Sequence, residues 1–137
     1  MFVGRGGPTS LPAGPAVRYR LWVTDEPFVF FVDLLAEATI PDRGIHSQTL
    51  SREGGVELVL FAFAAGEALA EHTASRPAII HFLAGEAEVT LGDERLEARA
   101  GSWMQMAARL PHSILARTPV VMALYLLPAE GLTKEPR

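Results

Sequence analysis

The sequence predicts an all-β domain, a sandwich or barrel built from short strands, and three observations carry that prediction. Runs rich in Val, Ile, Leu, Phe and Thr recur at spacings of about 8–12 residues, as in small sandwiches and barrels. Glycine-containing turn signals separate them, at Gly66, Gly85, Gly92-Asp93 and Gly101. No 3.6-residue periodicity persists long enough for a long helix, and there is no solenoid-type repeat. At 137 residues the chain suits one domain with one buried core, and a closed jelly roll fits that length.

Residues 1–16 are rich in Gly and Pro, with Pro8, Pro12 and Pro15 evenly spread. Such a segment buries little and is expected to be a flexible N-terminal arm. The barrel domain is expected over 17–128 and a flexible polar tail over 129–137. Residues 18–24 alternate as an edge strand would, and Pro27 interrupts them. Residues 28–32 form a short apolar run of β-favouring types. Residues 33–38 allow one helical turn capped by Asp33, ended by Pro41 and Gly44.

From His46 onward the pattern is β. Residues 56–63 are apolar with β-branched and aromatic members, and residues 78–83 form a second run ended by Ala84-Gly85. Residues 86–91 alternate strictly, with Ala87, Val89 and Leu91 on one face and Glu86, Glu88 and Thr90 on a solvated one. The Gly92-Asp93 turn leads into 95–99, where Leu96 and Ala98 are expected inside. Strands at 102–106, 112–116 and 120–127 follow, the last two divided by Thr118-Pro119.

Composition narrows the function. Hydrophobic residues make up 49% and charged residues 20%, the balance of a globular protein rather than a disordered one. The longest apolar runs, 58–65 and 120–127, fall far short of the about 20 residues a membrane-spanning helix needs. No secretory signal is expected, because Arg5 sits among glycines and prolines with no unbroken apolar stretch after it. The absence of cysteine excludes disulfides, thiolate-bound zinc and cysteine nucleophiles, and a cytoplasmic setting is the natural reading. The net charge is −4 and the arginines are scattered, so neither a nucleic-acid nor a membrane partner is expected. Gly4-Arg5-Gly6-Gly7 lacks the Lys-Ser/Thr of a phosphate loop, and there is no nucleophile elbow.

Two stretches resemble the paired motifs of the cupin family. The first motif, G-(x)5-H-x-H-(x)3–4-E-(x)6-G, is matched in spacing by Gly66, His72, Ala74, Ala78 and Gly85. The second, G-(x)5-P-x-G-(x)2-H-(x)3-N, is matched by Gly101, Ala107, Arg109, His112 and Ala116. The resemblance spans 48–127 and implies a small single-domain, RmlC-like cupin, a double-stranded β-helix. It also implies a divalent metal ion (zinc, iron, nickel or manganese) inside the barrel, which the family holds with two His and a Glu of the first motif and the His of the second. Only His72 and His112 remain of that set. Ala74 stands where the second His belongs, Ala78 where the Glu belongs, and Arg109 replaces a glycine in the turn before His112.

Two imidazoles hold a metal poorly, so a third donor is needed. His81 is the first candidate, although strand parity turns it away from 78, 80 and 82 unless a bulge intervenes. Gln105 is the second, through its amide oxygen or by touching a ligand directly. Gln105, Trp103 and His46 are the ligand-pocket candidates, with His46 placed to fold over the barrel mouth. Trp103 and the Phe28–Phe31 cluster also suit core or dimer contacts. Glu67 and Glu71 are the carboxylates near His72, but Glu71 has the opposite parity.

These residues leave three functions open. One is a metal-dependent enzyme of small-molecule metabolism, for which the resemblance implies oxygenase or isomerase chemistry. The second is a metal-free module that binds or senses a small ligand in an apolar pocket. The third is an assembly element. In the plainest alternative, His72 and His112 are remnants sharing a water. A homodimer is expected in every case.

Overall fold

The structure is a computed structural model and describes residues 27–128. The arm at 1–16, the strand expected at 18–24 and the tail at 129–137 lie outside the described residues. Nine strands follow one another: β1 (Ile45–Ser51), β2 (Glu57–Phe63), β3 (Ala68–His72), β4 (Ala78–Ala84), β5 (Glu86–Leu91), β6 (Glu94–Arg99), β7 (Trp103–Met106), β8 (His112–Ala116) and β9 (Val120–Leu126). They form two antiparallel sheets, ordered β1-β2-β9-β4-β7 and β3-β8-β5-β6. This is a jelly-roll barrel, within the sandwich or barrel class that the turn spacing predicts and as the cupin resemblance implies. No helix of the described residues is long and apolar enough to cross a membrane.

The period of two along each strand builds the interior. Phe63, Ile80, Phe82, Val89, Ile114 and Met122 point between the sheets and are fully buried. Each such side chain stabilises the fold by about 1.5–3 kcal/mol. A second cluster covers the outer face of the larger sheet, where Leu58, Leu60 and Ala62 of β2 and Val121 and Ala123 of β9 pack beneath Phe31, Leu34 and Ala38. Both faces of β2 and β9 are therefore apolar, which is why they read in the sequence as unbroken runs and not as alternation.

The segment before β1 makes that cover. Its 3₁₀ turn, Leu35–Glu37, has Leu34 and not Asp33 at its N-cap, while Asp33, one residue earlier, accepts the Ala36 N–H at its carbonyl (3.1 Å) and at Oδ1 (3.4 Å). The run at 28–32 pairs with no strand, and within it Phe28, Phe30 and Val32 are exposed while Phe31 packs on the sheet.

Two further sequence expectations are corrected. Leu96 shares a face with buried Ala98, yet it is exposed, because β6 is the edge of its sheet. The outer face of β5 is not simply solvated: Glu88 lies between Arg95 (3.1 Å) and Arg117 (3.7 Å), and Arg117 also reaches Glu97 (3.0 Å). Hydrogen bonding to Glu97 raises the Arg117 pKa. The strand β3 has no strong β signature, since Ala-Leu-Ala-Glu-His favours a helix by composition. It extends because β8 offers it an edge.

Gly85 shows why the glycine spacing matters. It has φ +91°, and a Cβ there would collide with the Pro119 carbonyl oxygen and lie 2.9 Å from Val120 Cα. Only glycine permits the β4–β5 corner to meet the start of β9 this closely.

Candidate functional site

One mouth of the barrel is formed where β3, β7 and β9 end and β4 and β8 begin. Two loops border it, 73–77 and 107–111. Arg76 anchors the first loop, donating from Nη2 to the Gly55 (2.7 Å) and Leu126 (3.2 Å) carbonyls and from Nε to that of Leu127 (3.0 Å). The second loop meets the first where the Arg109 N–H donates to the Ala74 carbonyl at 2.7 Å.

His72 ends β3 and His112 begins β8, and the two are register partners. A β-bulge makes them so. Leu69 pairs with Ile114 and His72 with His112, so Ala70 and Glu71 together oppose Ser113. Straight alternation from Leu69 would set Glu71 opposite His112 instead and put His72 on the other face. The bulge resets the parity and brings the rings together, with centroids 4.2 Å apart and planes inclined by 56°. His112 is 5% exposed, beside buried Ile114, whereas His72 is exposed.

Both imidazoles are oriented in the same way. His72 Nδ1 lies 2.9 Å from the Ala70 carbonyl, and His112 Nδ1 lies 2.8 Å from the Leu110 carbonyl. A carbonyl oxygen only accepts, so each Nδ1 carries a proton. In the neutral ring, Nε2 then keeps its lone pair. Among the described residues neither Nε2 has a hydrogen-bond partner. The pair thus presents two acceptors side by side, one sheltered and one wet.

The metal that a cupin barrel implies can be tested against these donors. Ala78, where the family has a carboxylate, is 1% exposed and its methyl belongs to the core with Met106 and Leu126. Ala74 contributes only the carbonyl that receives the Arg109 N–H. Among the described residues no group of three His, Cys, Asp or Glu side chains is placed to hold a metal ion. Two neutral imidazoles alone do not fit a centre that needs three or four ligands.

The remaining candidates lie elsewhere. His81 alternates with buried Ile80 and Phe82, so it faces outward, flanked by Trp103 on β7 and Ala123 on β9. No bulge precedes it in β4, since the irregularity comes after Phe82. Trp103 and Gln105 alternate with the inward Met104 and Met106, and both are exposed on the outer face. His46 pairs with Ala62 of the outer cluster and is exposed on the edge strand β1, away from the mouth. Glu67 accepts the Gly44 N–H at 3.0 Å. The structure therefore joins His72 and His112 and separates His81, Gln105, Trp103 and His46 from them by strand parity. The Arg76 anchor and the carbonyls of Ala70 and Leu110 have no signature in the sequence, because backbone acceptors carry none.

Comparison with known proteins gives the fold its place. No family model matches the chain, and no curated protein matches it. Solved structures do. A cupin superfamily protein from Desulfitobacterium hafniense superposes with a TM-score of 0.66 at 22% identity, covering 76% of this chain and 95% of that one. An RmlC-like cupin from Shewanella frigidimarina gives 0.62 at 19% identity, covering 80% and 96%. A conserved protein of unknown function from Streptococcus pyogenes gives 0.65 at 24% identity, covering 76% and 91%. The described part of the chain has the fold of a small cupin.

Proposed function

We propose that this small cupin barrel is a metal-free module that binds a small organic molecule, with His72 and His112 reading the ligand through Nε2. One observation carries the reading: two imidazoles in contact, each with Nδ1 tied to a backbone carbonyl, so that two fixed acceptors remain at the mouth of an apolar barrel. A few convergent polar groups over apolar walls are what a small-ligand site requires. The Nδ1 partners are backbone carbonyls, which fix the orientation of both rings.

A second reading, a metal-dependent enzyme, has its own support, since metal-bound imidazoles also anchor Nδ1–H on carbonyls. It lacks a third donor among the described residues. Thermal-shift measurements separate the two. The binding reading expects stabilisation by organic ligands after chelation. It also expects less than about a tenth of an equivalent of zinc, iron, nickel or manganese after reconstitution. One equivalent of metal per chain, lost in His72→Ala and His112→Ala, would refute it and restore the enzyme.

The same proposal includes a homodimer. Phe28, Val32 and Trp103 are 75%, 79% and 57% exposed, more apolar surface than an isolated barrel needs to show. A monomer at micromolar concentration in solution scattering would overturn this. Cysteine-free composition supports a cytoplasmic setting, which a tagged chain recovered outside the cytoplasm would contradict.

A further inference from the structure

We infer that the ligand of the His72–His112 pair is a small hydroxycarboxylate and that Arg109 supplies its countercharge, an inference that rests on the binding reading above. The starting point is the backbone. Arg109 has φ +68°, and among the described residues every other positive φ belongs to a glycine. Residues 107–110 form a turn closed by the Leu110 N–H donating to the Ala107 carbonyl at 3.3 Å, with Arg109 at the third position, where glycine is the unstrained choice. Placing arginine there costs stability, and such strain persists where a side chain is used.

Position and charge agree with that use. The Arg109 N–H holds the Ala74 carbonyl at 2.7 Å, two residues after His72, and Arg109 itself precedes His112 by three. It therefore joins the loop that follows His72 to the loop that precedes His112. Arg109 is exposed, and among the described residues its guanidinium makes no ion pair or hydrogen bond. Arg52, Arg76, Arg95 and Arg117 are engaged in the fold, and Arg43 and Arg99, which among the described residues are not, stand before β1 and at the end of β6 away from His112. A strained, unengaged guanidinium in the loop that leads into His112 is suited to a carboxylate, which its planar fork can grip with two hydrogen bonds.

The histidines define the rest of the ligand. A carboxylate cannot donate, so it does not satisfy the Nε2 lone pairs. A hydroxyl on the same molecule donates its one proton to one Nε2, and a water or a second hydroxyl serves the other. Carboxylate on Arg109 and hydroxyl on Nε2 together specify a hydroxy acid.

The test titrates glycolate, malate and 4-hydroxybenzoate, and the neutral amide of each, while following the imidazole nitrogen resonances of His72 and His112. It uses the full chain and its Arg109→Gly and Arg109→Lys variants. At least one acid should shift both histidines, and its amide should bind at least about tenfold more weakly. Arg109→Gly should weaken that acid at least about tenfold while its Tm stays level or rises by up to about 5 °C, since glycine relieves the turn. Arg109→Lys should fall between. Acids and amides binding alike, with no effect of Arg109→Gly, would overturn the carboxylate assignment and leave the binding reading intact. A marked fall in the Tm of Arg109→Gly would overturn the strain argument. Silence of both histidines toward every acid and amide would remove this inference and count against the binding reading with it.

Discussion

Removing His112 and removing His72 should have unequal consequences for stability, although the two are partners in one site. His112 is 5% exposed, and its Nδ1–H bond to the Leu110 carbonyl at 2.8 Å is partly buried. His112→Ala deletes a bond with a net value of about 1 kcal/mol and leaves a carbonyl without a partner at a further 1–3 kcal/mol or so. The missing ring adds a cavity beside Ile114. Together these give a loss of about 3 kcal/mol. An unfolding entropy of about 2.1 cal/mol/K per residue, over roughly a hundred ordered residues, converts that into a Tm fall of about 14 °C. His72 is exposed, and its bond to the Ala70 carbonyl is open to water, so His72→Ala should cost under about 1 kcal/mol, less than 5 °C. His112→Asn should recover about 1 kcal/mol relative to His112→Ala, because its amide N–H replaces Nδ1–H. Calorimetry or urea unfolding at neutral pH measures all three. Equal losses from the two alanine variants, or a larger one from His72, would show that the described burial is wrong and that the pair does not sit across the rim.

Three further outcomes are expected. Gly85→Ala forces a Cβ against the Pro119 carbonyl and should cost more than about 3 kcal/mol, whereas Gly66→Ala, with φ +84° but nothing within 4 Å, should cost about 1 kcal/mol. Similar urea midpoints for the two would contradict the close approach at the β4–β5 corner. Arg76→Met keeps the apolar stem but gives up the Gly55, Leu126 and Leu127 carbonyls. For a side chain 31% exposed that should cost about 1–2 kcal/mol, and a loss below about 0.5 kcal/mol would mean the anchor contributes little. Burial raises the pKa of the Tyr125 phenol above its ordinary value of 10.0, so the folded chain keeps this proton at pH values where the unfolded chain releases it. The associated stability is complete below about pH 10 and is lost as pH rises beyond it. Tyr125→Phe should abolish that part of the alkaline decline, and parallel Tm curves for both proteins from about pH 8 to 11 would show the phenol to be solvated.

Much of the barrel was legible before any coordinates. The runs at 56–63, 86–91, 112–116 and 120–127 match β2, β5, β8 and β9 to within a residue at each end, because apolar period and turn glycines act locally. β3 was not legible, since five residues of helix-favouring composition become a strand only when a distant edge accepts their hydrogen bonds. Leu96 misled for a related reason: its face follows from alternation, but its exposure follows from standing at the rim of a sheet. Parity did identify the outward direction of His81. It is silent about Gln105, Trp103 and His46, because their short strands carry no clear apolar alternation in the sequence.

What the amino-acid order determined alone is the set of local choices: where strands run, where glycine must turn the chain, and that two imidazoles occupy the places at which the two motifs of this fold meet. Tertiary pairing decided the rest. One extra residue in β3 rotates His72 onto the face of His112, and that residue is extra only relative to β8, a strand some forty positions away. Alternation is a property of one strand, while register belongs to two, so the facing of a side chain beyond a bulge is settled only when the partner strand is in place.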